Sequence, residues 1–204
     1  MSAKHLGIIL AAAGALIAAS VPATAADTCP DARTAPSGFI VERGEGSKTE
    51  VLHVGATTVR TIYRFNGNAV LETTQYQGVF ELERIDRGKR ATSKAINDLG
   101  KLFPLKVGQK LTGIFEITEG ERHVTRTITL TVVKADQLYV GACQYGVLVI
   151  DRSQRTDNGP MIFMNTDYYA PDLKLIIAKE FKESGGRTSL NKFDKIYLKD
   201  GARP

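Results

Sequence analysis

The chain predicts an all-β protein: a curled antiparallel sheet (half-barrel, open barrel or β-spiral) with one short helix. Three observations lead there. Val59, Thr61, Tyr63 and Phe65 alternate with Arg60 and Arg64 and run into Asn66-Gly67, the dipeptide favoured by tight hairpins. Val124 to Val133 alternates as well, with Val124, Ile128, Leu130 and Val132 on one face, broken by Arg126, and four threonines and Val133 on the other. Only one segment, 92–99, carries the caps of a helix.

The elements follow in order. Residues 1–25 read as a secretory signal: Lys4, an apolar run from Leu6 to Ala19, and Ala23-Thr24-Ala25 as the cleavage site. That run falls short of the ~20 apolar residues a membrane span needs, and no later stretch qualifies, so the mature chain is expected to hold no transmembrane segment. A lipid anchor is not expected, because Asp27-Thr28 stands before Cys29 where small or apolar residues would be required. Residues 26–37 form an irregular leader with Pro30 and Pro36, and 38–204 form a single β-rich domain.

Ala69 to Gln77 returns from the Asn66-Gly67 turn, and Gly78 reverses the chain into Val79 to Asp86. The helix is expected from Thr92 or Ser93 to Leu99, with Gly100 ending it. A strand over Lys110 to Thr118 precedes the turn Glu119-Gly120-Glu121 and the threonine-faced strand. Leu138 to Ile150 reads as a longer, largely apolar strand region, with Gly141 and Gly146 placing bulges or bends that let a sheet curl. Thr156 to Pro160 turns the chain into Met161 to Met164, and Leu173 to Phe181 and Leu190 to Leu198 close it. Eight to ten strands with one short helix bury an apolar face only by curling or folding over.

Export sets the chemistry of the two cysteines. In an oxidising compartment Cys29 and Cys143 are expected to form one disulfide, since neither sits in a Cys-x-x-Cys pair or among zinc-ligand spacings. The chain lacks Asn-x-Ser/Thr acceptors and has an alanine-rich leader, which suits a bacterial periplasm. Net charge is +5, and Lys4 is the only charge in the leader, leaving +4 in the mature chain. The densest basic cluster (Arg84, Arg87, Lys89, Arg90, Lys94) is interleaved with Glu83 and Asp86, which argues against nucleic acid as a partner and leaves attraction to anionic lipid or polysaccharide open.

Two segments, Leu102-Phe103-Pro104-Leu105-x-Val107-Gly108 and Tyr168-Tyr169-Ala170-Pro171-Asp172-Leu173, flank the strand with Val140-Gly141-Ala142-Cys143. Together they resemble a group of exported bacterial β-rich proteins of largely unknown function, similar in architecture to the half-barrels of periplasmic lipoprotein carriers. The likeness spans roughly 102–198. It implies a non-catalytic envelope role and transfers no catalytic residue.

Chemistry-bearing motifs are scarce. His53 and His123 lie far apart outside any metal pattern, so no metal or other cofactor is expected. Gly44-Glu45-Gly46-Ser47-Lys48-Thr49 departs from the phosphate-loop pattern because Ser47 separates glycine from lysine, and Ser189-x-x-Lys192 opens a strand rather than a helix. No catalytic residue is assigned. Carboxylates at Glu81, Glu83, Glu116 and Glu119 keep a hydrolase as a third reading.

The leading expectation is a periplasmic cell-envelope protein that binds an apolar or lipid-like ligand or an envelope partner. Its concave interior is assigned to Phe80, Leu82, Phe115, Ile128, Leu130 and Tyr169. The adjacent tyrosines should point to opposite faces, one inward. The alternative is an assembly factor that docks a partner on an exposed sheet edge.

Overall fold

A computed structural model describes residues 29–182 and 186–199; the leader expected over 1–25 lies outside them. Among the described residues thirteen strands make one antiparallel sheet. They are β1 (Phe39–Glu42), β2 (Ser47–Val54), β3 (Thr58–Phe65), β4 (Asn68–Tyr76), β5 (Phe80–Asp86), β6 (Lys89–Ala95) and β7 (Lys110–Glu119). There follow β8 (Arg122–Val140), β9 (Cys143–Thr156), β10 (Ile162–Ala170), β11 (Leu175–Lys182), β12 (Thr188–Lys192) and β13 (Lys195–Leu198).

Each strand pairs with the next from β1 to β12, while β13 returns to the opposite edge and pairs with β1. Two residues therefore carry the chain from one sheet edge to the other. The Phe193 amide donates to the Ile177 carbonyl of β11 (3.4 Å), and the Asp194 amide donates to the Glu42 carbonyl of β1 (2.8 Å). Asp194 Oδ2 also accepts from the Gly44 amide at 2.7 Å. This strap draws the edges together, and the sheet curls without closing into a barrel.

Local chemistry sets the turns. Asn66-Gly67 and Arg87-Gly88 are two-residue connections with positive φ throughout, the geometry that matches the twist of flanking strands. Gly78 answers a different need: besides its φ of 68°, a Cβ there would strike the backbone carbonyl of Lys174. The β4–β5 turn thus sits directly against the β10–β11 turn, across the curl. Tyr169 Oη donates to the Gln77 carbonyl (2.9 Å) and Arg152 Nη2 to the Val79 carbonyl (3.1 Å), which pin the same approach.

Three sequence expectations need correction. The helix over 92–99 does not form: Thr92, Ser93, Lys94 and Ala95 pair with Thr118, Ile117, Glu116 and Phe115 of β7. An eight-residue helix is too short to stand alone, and a waiting ladder satisfies the same backbone groups. What remains is a 3-10 turn at Leu99–Leu102, capped by Asp98, whose carboxylate accepts from the Gly100 amide (2.9 Å). Gly141 marks a full reversal, the β8–β9 hairpin, where the sequence predicts a bulge or bend within one strand region, and Gly146 pairs regularly with Gln137; the bulge falls between Val132 and Lys134. The count of eight to ten strands rises to thirteen because Phe39–Glu42, Ser47–Val54 and Lys89–Ala95 are also strands and Leu190 to Leu198 divides between two edges.

The core is two clusters on one sheet. In the first, Phe39, Val41, Val51 and Val59 of β1–β3 meet Val140, Val147, Leu175 and Ile177. In the second, Phe80, Phe115, Leu130, Val132, Ile150 and Tyr169 pack together. Tyr169 enters the second cluster while Tyr168 packs against the first, the opposed placement expected of neighbours on a strand. Cys29 and Cys143 are bonded (Cα–Cα 5.6 Å), fastening the chain before β1 to the start of β9. The segment before β1 is held as well by Ala35, fully buried, and by Asp31, whose carboxylate accepts from the Thr34 and Arg33 amides. The Thr34 hydrogen bonds hold the Asp31 carboxyl down to about 2.

Candidate ligand-binding groove

The six residues assigned to the interior are brought together. Phe80, Phe115, Leu130 and Tyr169 are buried, and Leu82 and Ile128 pack against them, partly exposed. The Phe80 and Phe115 rings lie 5.4 Å apart between centroids. Gly113 makes this possible, since a Cβ there would press into both rings. Burial raises the pKa of the Tyr169 phenol, and its hydroxyl is committed to Gln77. Tyr169 alone of the six also lines a surface groove of about 480 Å³, with Tyr76, Phe103, Leu105 and Pro171.

A second open volume, about 450 Å³, lies over β2, β3 and β4 and is walled by β11 and the strap. Its lining is amphiphilic. Leu71, Leu175, Ile176, Phe193 and the Tyr63 ring supply apolar surface; Ser47, Thr49, Thr61, Thr73 and Gln75 supply hydroxyls and an amide. Several of these are already paired: Thr61 and Thr73 share a hydrogen bond of 2.7 Å, and Ser47 Oγ donates to Tyr63 Oη at 3.3 Å. Arg43, Lys179 and Glu81 complete the wall.

Glu81 also lines a third groove, about 460 Å³, with Arg84, Asp86, Arg87, Lys89, Ile117, Glu119 and Arg126. The two volumes therefore adjoin at one carboxyl group. Burial raises the Glu81 pKa above its ordinary 4.5, against the opposing pull of Arg84, Arg126 and Lys179. Lys179 belongs to a neighbouring network: Arg152 Nε donates to Asp167 Oδ2 (2.6 Å), Lys179 Nζ lies 3.4 Å from Asp167 Oδ1, and Asn165 donates to the same oxygen. Asp167 is fully buried and Arg152 nearly so, so this pair is an internal strut.

The raised Glu81 pKa has a signed consequence. The folded chain holds this proton to higher pH than the unfolded chain, so the contribution to stability is full below about pH 4.5 and is lost as pH rises through the folded value. Glu81→Gln is expected to raise the thermal midpoint at pH 7.5 relative to wild type and to leave it little changed at pH 4. Midpoints measured by circular dichroism at both values check this; equal shifts at the two would contradict it.

No family model matches the chain, and no curated protein does. Among solved structures it is similar to the hypothetical lipoprotein YmcC of Escherichia coli K12, with a TM-score of 0.45 and 13% identity. The match covers 76% of this chain and 86% of that one.

The remaining candidates scatter. Glu83 pairs with Arg90 (2.6 Å), Glu116 is exposed on β7, and only Glu81 and Glu119 share a groove. His53 lies 6.3 Å from the Phe39 ring with Nε2 buried and unpartnered, and His123 shares a hydrogen bond with Thr118 (3.1 Å) on the far side of the sheet order. Among the described residues no helix is long and apolar enough to cross a membrane. The groove over β2–β4 is absent from the sequence expectations because Thr61 simply alternates with Val59 and Tyr63 as one strand face, and Gly44 to Thr49 shows only a failed phosphate-loop pattern. The usable signal was Thr49 and Thr61, each two positions from the core residue on its own strand, Val51 and Val59; Thr73 joins them only as the cross-strand partner of Thr61.

Proposed function

We propose that this chain is exported, loses residues 1–25, and serves the cell envelope as a non-catalytic protein that holds an apolar or lipid-like ligand in the groove over β2–β4. One observation carries the reading. The concave side keeps an open volume of about 450 Å³ next to a core that is packed, within the size range of small-molecule sites and mixed in polarity as they are. The disulfide supports export, because such bonds persist outside the reducing cytosol.

Native mass spectrometry of protein released gently from the periplasm tests it. Wild type is expected to carry a reproducible adduct in the lipid mass range on a chain beginning near Ala26, and Leu71→Arg, which sets a charge in the groove, is expected to lose it. Protein that never carries an adduct, or an adduct unaffected by Leu71→Arg, sinks the proposal.

A second reading rests on Met161, Ile162, Phe163 and Met164, all well exposed at the start of β10. There β10 pairs with β9, whereas its ladder to β11 begins only at Thr166. Among the described residues this stretch of edge carries no second ladder, only the Lys182 Nζ standing 4.8 Å over the Phe163 ring, and it suits an extended segment of an envelope partner. Photocrosslinking from position 162 in intact cells is expected to trap one recurrent product; scattered products count against it.

A further inference from the structure

We propose that the groove around Arg126 is an acid-recognition seat, and that the ligand is an amphiphile whose carboxylate or phosphate is held there while its apolar part lies over β2–β4. The proposal rests on the groove reading above and names the chemistry of its ligand.

Arg126 is the first reason. Its Nε–H is buried with no hydrogen-bond partner among the described residues. A buried charged donor left unmatched is expensive, and native proteins rarely leave one without a purpose. The guanidinium fork suits a planar or tetrahedral acid, to which it donates two parallel hydrogen bonds.

The charges nearby are the second reason. Arg84, Arg87 and Lys89 line the same groove. Of the three carboxyl groups present, Asp86 is already engaged by Arg84 Nη2 at 2.9 Å, and Glu119 lies exposed at the rim. Glu81 is partly buried and feels the Arg126 charge, but among the described residues it does not accept from the Arg126 Nε–H. The groove thus has more cationic donors than acids to satisfy them, and a concave, partly desolvated wall concentrates that field.

Continuity is the third reason. Glu81 lines both this groove and the amphiphilic one, so the seat adjoins apolar surface from Leu71 and Ile176. An acid with a hydrocarbon tail satisfies both parts at once; an inorganic anion satisfies only the first.

Isothermal titration with four probes decides the matter: dodecyl phosphate, dodecanoate, dodecanol and inorganic phosphate, each against wild type, Arg126→Gln and Arg126→Lys. Wild type is expected to bind the two acids about tenfold to a hundredfold more tightly than dodecanol, the range of one or two charge-assisted hydrogen bonds. Arg126→Gln is expected to lose that margin while binding dodecanol as wild type does, which also shows that the variant folds; Arg126→Lys is expected to recover part. Equal binding of acids and alcohol by wild type, or a margin that survives Arg126→Gln, overturns the seat and leaves the groove reading standing. Inorganic phosphate binding as tightly as dodecyl phosphate overturns the amphiphile. Failure of all three dodecyl probes overturns the groove reading itself.

Discussion

Replacing both Cys29 and Cys143 with serine is expected to lower the thermal midpoint by about 10–20 °C under oxidising conditions. The bridge joins positions separated by 114 residues, and in chain-entropy terms closing so long a loop is worth roughly 4–5 kcal/mol, mostly by restricting the unfolded chain. For a chain of this size each kcal/mol moves the midpoint by about 2–4 °C. The double substitution is the cleaner variant, because a single one leaves a free thiol. Scanning calorimetry of wild type with and without reductant should reproduce the difference, and the serine variant should ignore reductant. A variant that melts with wild type would show the bridge to be idle.

Asp167→Ala is expected to destabilise by about 3–5 kcal/mol, since it leaves Arg152 inside the sheet with no countercharge. Lys179 is 43% exposed and contributes little to the pair. The loss should come from the stranded arginine more than from the missing attraction. The double variant Asp167→Leu with Arg152→Met is therefore expected to regain most of the stability lost, as packed apolar side chains of similar volume often replace a buried pair without penalty. Urea unfolding of the three proteins measures this directly. A double variant as unstable as Asp167→Ala would mean that the Arg152 hydrogen bond to the Val79 carbonyl, which pins β9 across the curl, matters more than the charge.

Much of the sheet was legible because period-two alternation and turn chemistry are local. Val59 to Phe65, Asn66-Gly67 and the return to Tyr76 stand where they were expected, as does the threonine strand. The helix failed for a reason outside its own residues: the ladder that claims Thr92 to Ala95 comes from β7, which the segment itself does not reveal. The β8–β9 turn was hidden because Gly141-Ala142 lies among apolar residues, while the polar stretch holding Lys134, Asp136 and Gln137 resembles a loop and is strand. The six core candidates gather because their alternation marks the buried face. Which face remains open is a long-range matter. It depends on the Asp194 amide reaching the Glu42 carbonyl and on Gly78 meeting Lys174, contacts that join residues about a hundred or more positions apart.

Amide chemical-shift mapping of the ¹⁵N-labelled mature chain during titration with dodecyl phosphate tests the central claim most directly: recognition happens on the open concave side and not in the packed core. Shifts are expected at Thr49, Thr61, Leu71, Thr73, Ile176 and Lys179, with a second set beside Arg126, while Phe115 and Leu130 stay still. Movement confined to Phe115 and Leu130, or to Met161 through Met164, would contradict it.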